Sequence, residues 1–458
     1  MKRFLNKAFI SFAAKKFSTL RGPVIGINFG ATNSSVAILE DRKAKVLTNA
    51  EGSRTTPSVV AFNKDGECLV GASALRQAVL NSQNTIYGIK SLLGQRYDDE
   101  NVQKIIKDFP YKIVNSSNGD VLVEAQGQIY SPSQIAAFIL TRLKQPAENY
   151  LKKQVHNAVI SVPSYFNDLQ RQELKQACNI AGLNVLRIFN EASAAAFSYY
   201  LEDKRIAVFN LGGGTFDFSI LKRSKDRIYE VISNSDDTFL GGNDFDNVIV
   251  HHLVSEFQRE NGIDLTKVLI LFLKYTRFLK DLLTMKIVRE AAEKAKCDLS
   301  SSAQTEIILP NIANSIIGGT KNISIKLSCS KFEELTDDLF KIIEKTCKKV
   351  MEDAELEPSD IEEVLLVGEM SKMSKIRETV ENIFGKKPYD IKNNSAVVKV
   401  KDETILFENK KMVAKDELLL SGIIYLGVLS GDINYLNGNR SITSNYIKKT
   451  SRCLLDLF

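Results

Sequence analysis

Ile206-Ala207-Val208-Phe209-Asn210-Leu211-Gly212-Gly213-Gly214-Thr215-Phe216-Asp217-Phe218-Ser219-Ile220 is the stretch that decides the fold. Apolar, β-branched and aromatic residues flank a run of three glycines, which predicts strand, tight turn, strand. Glycines let the backbone approach a bulky anion and turn its N–H groups toward it. Thr215 adds a hydroxyl and Asp217 a carboxylate just past the turn. The same design recurs near the N-terminus in Val24-Ile25-Gly26-Ile27-Asn28-Phe29-Gly30-Ala31-Thr32-Asn33-Ser34-Ser35-Val36-Ala37-Ile38. Two such hairpins predict two related lobes closing on one polyphosphate. Each turn opens with an asparagine, Asn28 and Asn210.

The chain has 458 residues, enough for two or three domains. With 44% hydrophobic and 25% charged residues, its composition is that of an ordinary globular protein. No apolar run approaches the roughly 20 residues of a membrane helix. The longest candidate, Val268 to Leu273, stops at Lys274. The net charge of +6 resides in the first 21 residues, where Lys2, Arg3, Lys7, Lys15, Lys16 and Arg21 stand without a single Asp or Glu. The body is therefore neutral, which argues against a nucleic-acid surface. Cations interspersed with Phe4, Leu5, Phe9, Ile10 and Phe12, together with Ser11 and Ser18, make 1–23 a mitochondrial transit peptide on this reading, with the matrix as destination. Six cysteines form no C-x-x-C pair and suit a reducing compartment. His156, His251 and His252 show no metal-ligand spacing.

Along the chain, helices are expected at about Ser133–Leu151, Asn167–Ile180, Glu191–Leu201, 247–261, 285–300, Lys331–Asp353 and 373–384. Strands are expected at His156–Pro163, Val185–Phe189, Ile228–Ser233, Glu306–Leu309, Ile323–Leu327 and Glu363–Val367. The order hairpin, helix, strand, helix, strand occurs twice, so the class is α/β with an internal duplication.

Several further stretches carry a resemblance: Asn49–Ser58, Phe109–Val114, Tyr130–Ile135, Val162–Asp168, Gly182–Arg187, Leu211–Asp217, Asp237–Gly242 and Arg289–Cys297. Together they resemble the mitochondrial seventy-kilodalton heat-shock chaperones, the DnaK and mortalin type, over about 24–380, with a weaker stretch at 416–436. The resemblance implies an actin-like ATPase fold, with two duplicated lobes of two subdomains each around a nucleotide cleft. It implies ATP or ADP as ligand, with Mg²⁺ and a monovalent cation such as K⁺. Gly30, Ala31, Thr32 and Asn33 then match the first phosphate loop, and Gly212, Gly213, Gly214 and Thr215 the second. Lys90 matches the family's catalytic lysine, whose ammonium would stabilise charge on the γ-phosphate. Thr215, Asp217 and Glu191 complete the catalytic set, with Asp217 ordering water and cation. Pro163, Arg171 and Glu191 match the relay that reports nucleotide to an attached domain. Gly241 and Gly242 match nucleotide-contacting positions of the interlobe turn. Glu293, Lys296 and Ser300 match adenosine contacts, and Gly368, Glu369 and Lys372 the loop opposite them. Surface salt-bridge helices share the i, i+3, i+7 spacing of the former set. Nucleotide-exchange factors and J-domain proteins would be the partners.

The departures from the family concentrate at the metal. Asn28 and Asn210 stand where the family has aspartates that hold hydrated Mg²⁺. An amide keeps an acceptor oxygen but loses the charge that a hard cation favours. Ala31 replaces a threonine, Ala192 a proline, Asn243 a glutamate, Glu369 a glycine and Lys372 an adenine-stacking arginine, a swap that is not conservative. The expectation is a domain that holds nucleotide and hydrolyses it poorly. The alternative is a working ATPase domain of a fragmentary chaperone gene. Residues 268–280 interrupt the match and read as a short intron translated in frame, since a valine codon begins with GT and a lysine codon can end with AG. Residues 388–413 are unmatched. The nucleotide-binding domain is expected to span 24–436, and 437–458 to replace the family's linker. No peptide-binding domain is expected to follow.

Overall fold

The computed structural model describes residues 22–406, apart from 41–42, 79, 107–108, 200–203, 224–228, 238–239, 264, 266–277, 316–318, 390–396 and 401–402. The transit-peptide expectation over 1–21, most of the 268–280 insert, much of 388–413 and everything beyond 406 lie outside those residues.

Strand Val24–Asn28 is the centre of the first lobe. It pairs antiparallel with Asn33–Glu40, closing the first hairpin, and parallel with Asn157–Val162 on its other side. Asn184–Asn190 and Lys43–Val46 extend the sheet outward. Strands Val24–Asn28 and Asn157–Val162 are mainly apolar, as suits strands covered on both faces, and Asn157–Val162 is buried at every position. The covering helices are Pro132–Leu151, started by a Ser131–Gln134 capping box, and Asp168–Ile180, started by an Asn167–Gln170 box. Two small three-stranded sheets, one built on Val121–Ala125 and one on Val60–Phe62, form the rest of this lobe.

The second lobe repeats the plan. Strand Arg205–Leu211 pairs antiparallel with Phe216–Arg223 and parallel with Glu363–Val367. Tyr229–Asp237 completes the sheet. Helices Gly242–Asn261, Phe278–Asp298, Cys329–Asp353 and Ser374–Phe384 pack around it, with the long hairpin Gln304–Ser315/Gly319–Ser328. The expected elements are therefore present, longer at several ends than predicted. The helix expected at 285–300 begins at Phe278, inside the last three residues of the insert. The chain is thus α/β with two duplicated lobes, the actin-like fold expected.

Each lobe has its own apolar core. A third cluster joins them. Helix Glu191–Tyr199 places Ala192, Ala194, Ala195 and Ala196 among Ala37 and Val159 of the first sheet and Ile206, Val208, Leu365 and Val367 of the second. Among the described residues no helix is long and apolar enough to cross a membrane. The five described cysteines are free. Burial pushes the Cys178 thiol up to about 12.

Two glycines separate local from tertiary demands. Gly368 and Gly385 both adopt positive φ, +83° and +63°. A Cβ on Gly385 would meet nothing within 4 Å, whereas one on Gly368 would lie 2.2 Å from the Leu211 carbonyl oxygen. Gly385→Ala is expected to cost about 1 kcal/mol, the left-handed penalty alone. Gly368→Ala is expected to cost roughly 3 kcal/mol or more, because overlap with a fixed backbone adds to that penalty. Thermal unfolding followed by circular dichroism compares the two, and equal shifts in melting temperature would refute the overlap.

Candidate functional site

The register of the two sheets sets Asn28 and Asn210 at equivalent places. Each is near the C-terminal end of the central strand of its lobe, opposite Ser161 and Val367 of the parallel neighbour. Across the hairpins, Asn28 faces Ser35 and Asn210 faces Asp217. The duplication therefore delivers three side chains to one edge of each sheet by strand pairing alone.

Four turns converge there. The first, Gly30–Asn33, is braced from behind: the Ser58 hydroxyl donates to the Gly30 carbonyl at 2.8 Å, and the Gly30 N–H donates to the Ser34 hydroxyl at 3.1 Å. The second, Gly212–Thr215, closes through the Gly212 N–H on the Thr215 carbonyl at 2.9 Å. The third, Gly241–Asn243, hangs from the second, with Gly242 N–H on the Gly212 carbonyl and Asn243 N–H on the Gly213 carbonyl at 2.9 and 2.7 Å. The fourth, Gly368–Lys372, runs against Leu211. The lobes meet where a Cβ on Gly213 would lie 2.8 Å from the Thr32 hydroxyl.

These contacts refine the reading of the glycines. Gly30 is required by its own turn, since a Cβ there would lie 2.0 Å from the Asn33 carbonyl oxygen. Gly241 is required by the second turn, 2.5 Å from Gly214 backbone. Gly213 admits Thr32 of the other lobe. Gly212 and Gly214, 3.6 and 3.4 Å from their nearest neighbours, have room for a side chain. Close packing of the turns on one another, as well as room for an anion, dictates the pattern.

Lys90 lies in the short helical turn Ile89–Leu92, after Gly88 at φ +67°. Tyr87, Phe109 and Tyr111 pack ring on ring beside that turn, and the Tyr111 hydroxyl donates to the Tyr87 carbonyl. The ammonium is buried. It donates to Glu191 Oε1 at 2.9 Å and stands 5.7 Å from the centre of the Phe166 ring. The other Glu191 oxygen, Oε2, accepts from Asn210 Nδ2 at 3.0 Å. Lys90 of the first lobe, Glu191 of the interlobe helix and Asn210 of the second lobe thus form one hydrogen-bonded chain.

The relay residues are contiguous with it. The Pro163 carbonyl accepts from Phe166 N–H, the Phe166 carbonyl from Arg171 Nε–H, and Asn190 Oδ1 from Arg171 Nη2–H at 2.7 Å. Burial pulls the Arg171 guanidinium below its ordinary range, opposed by the charge of Asp168. Asp217 is buried, and its Oδ1 accepts from the Ser219 hydroxyl at 2.9 Å.

On the opposite wall, Glu293 and Lys372 are exposed and Ser300 is half-buried. Lys296 is buried, and its ammonium donates to the Gly242 carbonyl and to Asp246, each at 2.8 Å. Asp246 is a site residue that sequence reasoning missed. Its signal was its place one turn beyond Gly242 at the start of a helix. Burial raises the Asp246 carboxyl above its usual range, against the pull of Lys296. Glu369 opens a short helical turn and stays exposed, its charge reaching Cys297 on helix Phe278–Asp298. Ser161, Ser34 and Ser58 are further supports that residue type alone did not mark.

The donor set does not suit a firmly held Mg²⁺. Asn28 Oδ1 accepts from the Ser161 hydroxyl at 3.3 Å, and Asn210 turns its NH₂ group to a carboxylate. Both oxygens of Glu191 are engaged. Among the described residues no group of three or more His, Cys, Asp or Glu is placed to hold a metal.

Comparison with known proteins agrees with this geometry. The family model for the Hsp70 protein matches residues 24–400. The chain belongs to the Hsp70 family. The heat shock protein hsp-6 of Caenorhabditis elegans is 53% identical over 418 residues, 90% of this chain and 58% of that protein. The mitochondrial heat shock 70 kDa protein of Solanum tuberosum is 53% identical over 367 residues, 80% of this chain and 52% of that protein. The chain thus spans about half the length of the curated relatives it matches, and resembles the mitochondrial Hsp70 type.

The buried pair makes a test of this Hsp70 site. The side chains of Lys90 and Glu191 are only 8% and 9% exposed. Glu191→Ala is expected to destabilise by about 3 kcal/mol, because it strands a buried ammonium. Replacing both partners, Lys90→Met with Glu191→Leu, is expected to recover most of that loss. Urea denaturation reads both, and an unchanged midpoint for Glu191→Ala would exclude a structural pair.

Proposed function

We propose that this chain is an ATP- and ADP-binding domain of the Hsp70 chaperone type, serving protein folding in the mitochondrial matrix and slow in hydrolysis. Two features support the nucleotide: the converging glycine turns and the two hydroxyls, Thr32 and Thr215, that flank their contact. N–H groups and hydroxyls at such turns donate to phosphate oxygens. Lys90 is the cation that faces the terminal phosphate, and Asp217 the carboxylate that accepts from the attacking water. Glu293, Lys296, Ser300, Gly368, Glu369 and Lys372 form the adenosine wall. Lys296 contributes there mainly by holding Gly242 in place. Pro163, Arg171 and Glu191 carry the state of the site toward an attached domain, and J-domain proteins and nucleotide-exchange factors are the partners. The six cations of 1–21 support the matrix destination.

The single observation that carries slow hydrolysis is the hydrogen bond from Asn210 Nδ2 to Glu191 Oε2. An aspartate there has no proton to donate at neutral pH and would repel Glu191 instead. A divalent ion, when bound, supplies positive charge beside the phosphates as the bond to the leaving oxygen breaks. Asn28 and Asn210 contribute no negative charge to place it. Transition-state stabilisation falls, while the turns and hydroxyls that bind the ground state remain.

Single-turnover hydrolysis of ATP tests this in the unmodified protein and in Asn28→Asp/Asn210→Asp. The double variant is expected to hydrolyse at least about tenfold faster. Equal rates, with nucleotide bound by both proteins, would refute slow hydrolysis and leave a working ATPase domain.

A further inference from the structure

At the cleft, Asn28 and Asn210, which the resemblance sets at a metal, are engaged in side-chain hydrogen bonds instead. Two aspartates with one dication sum to zero charge. Two asparagines with no dication also sum to zero. The exchange therefore leaves the net field at a bound polyphosphate unchanged to first order. It alters what the site can do to a cation. A dication arriving near Asn28 and Asn210 finds neutral amides, and a Glu191 whose charge is paired with Lys90 and whose second oxygen accepts from Asn210.

The orientation of the amides points the same way. Asn28 Oδ1 accepts from the Ser161 hydroxyl at 3.3 Å, and its NH₂ group carries two hydrogens that can donate to a ligand. Asn210 places one hydrogen of its NH₂ group on Glu191 and keeps a second. N–H donors suit phosphate oxygens and repel cations. Lys90 is held in the first lobe by its own short turn, with Phe166 on one side. Its ammonium, bonded to Glu191 at 2.9 Å, is the cation held at this end of the cleft.

We propose that this chain binds adenine nucleotide as the metal-free polyphosphate, with Lys90 as its counter-charge and the Asn28 and Asn210 amides as donors where a hydrated cation would otherwise stand. The proposal rests on the nucleotide-binding reading above and goes beyond it, since slow hydrolysis alone leaves binding dependent on a metal.

Calorimetric titration with ADP and with ATP, in buffer containing magnesium chloride and in buffer containing EDTA, tests it on the whole chain and on Asn28→Asp/Asn210→Asp. For the unmodified protein, removing Mg²⁺ is expected to leave Kd within about threefold, or to tighten it, because Mg²⁺ in solution competes for the free nucleotide. For the double variant, two restored carboxylates repel a bare polyphosphate, and EDTA is expected to weaken binding by roughly tenfold or more. Binding by the unmodified protein that tightens tenfold on adding Mg²⁺ overturns the proposal and leaves the nucleotide-binding reading standing. Absence of binding in both buffers overturns the nucleotide-binding reading and this proposal with it. If the double variant does not fold, as judged by circular dichroism, the unmodified protein in the two buffers decides alone.

Discussion

The distance between the two sheets is set by one thin helix. Glu191–Tyr199 places four alanines between them, Ala192 and Ala194 to Ala196, each buried. Methyl side chains let backbone approach backbone, and a close-packed interior transmits that spacing without slack. Everything at the cleft depends on it. The two central strands end close enough for Thr32 to stand against Gly213. The helix itself opens on Glu191, whose carboxylate lies in the first turn, where the helix dipole favours negative charge. From there it reaches Lys90 of one lobe and Asn210 of the other. A packing constraint made of alanines thus fixes an electrostatic one made of three side chains.

The repeated hairpin was legible because its signals are local. Period-two apolar runs around glycine turns announced both hairpins, and the helices carried capping residues that the structure uses, Ser131 and Asn167 among them. The glycine turns themselves, and the elements they join, were legible for the same reason. What was not legible is long-range. Asp246 reaches Lys296 across fifty positions, and Ser161 reaches Asn28 across 133. No spacing rule spans such separations. Gly30 was read as part of a phosphate loop, whereas the nearest atom its side chain would strike is the Asn33 carbonyl oxygen. Sequence shows that a position needs glycine but not which neighbour forbids the side chain.

On the proposed reading, the substitutions at the metal differ in kind from those on the adenosine wall. Asn28 and Asn210 keep the shape of aspartate and change only charge and proton, so the strands and their register need no adjustment. Glu369 adds bulk and charge, but at the start of an exposed turn, where neither disturbs the packing of Met370 beneath it. The fold therefore tolerates both sets, and their consequences fall on chemistry. That is the expected outcome when function is carried by a few side chains at strand ends on a rigid scaffold.

The proposed relay gains a different meaning in this setting. Pro163, Phe166, Arg171 and Asn190 lead by successive hydrogen bonds to the residue that begins the interlobe helix. In a site where an aspartate faces Glu191, the two carboxylates repel, and a ligand or cation between them changes the position of Glu191. Here the Asn210 amide holds Glu191 already. A ligand shifts an equilibrium only by its differential affinity for the two states. With Glu191 bonded on both oxygens, less of that difference is left for nucleotide to supply. On the proposed reading, binding and signalling are thus weakened in coupling by the same hydrogen bond that stands in the way of the metal.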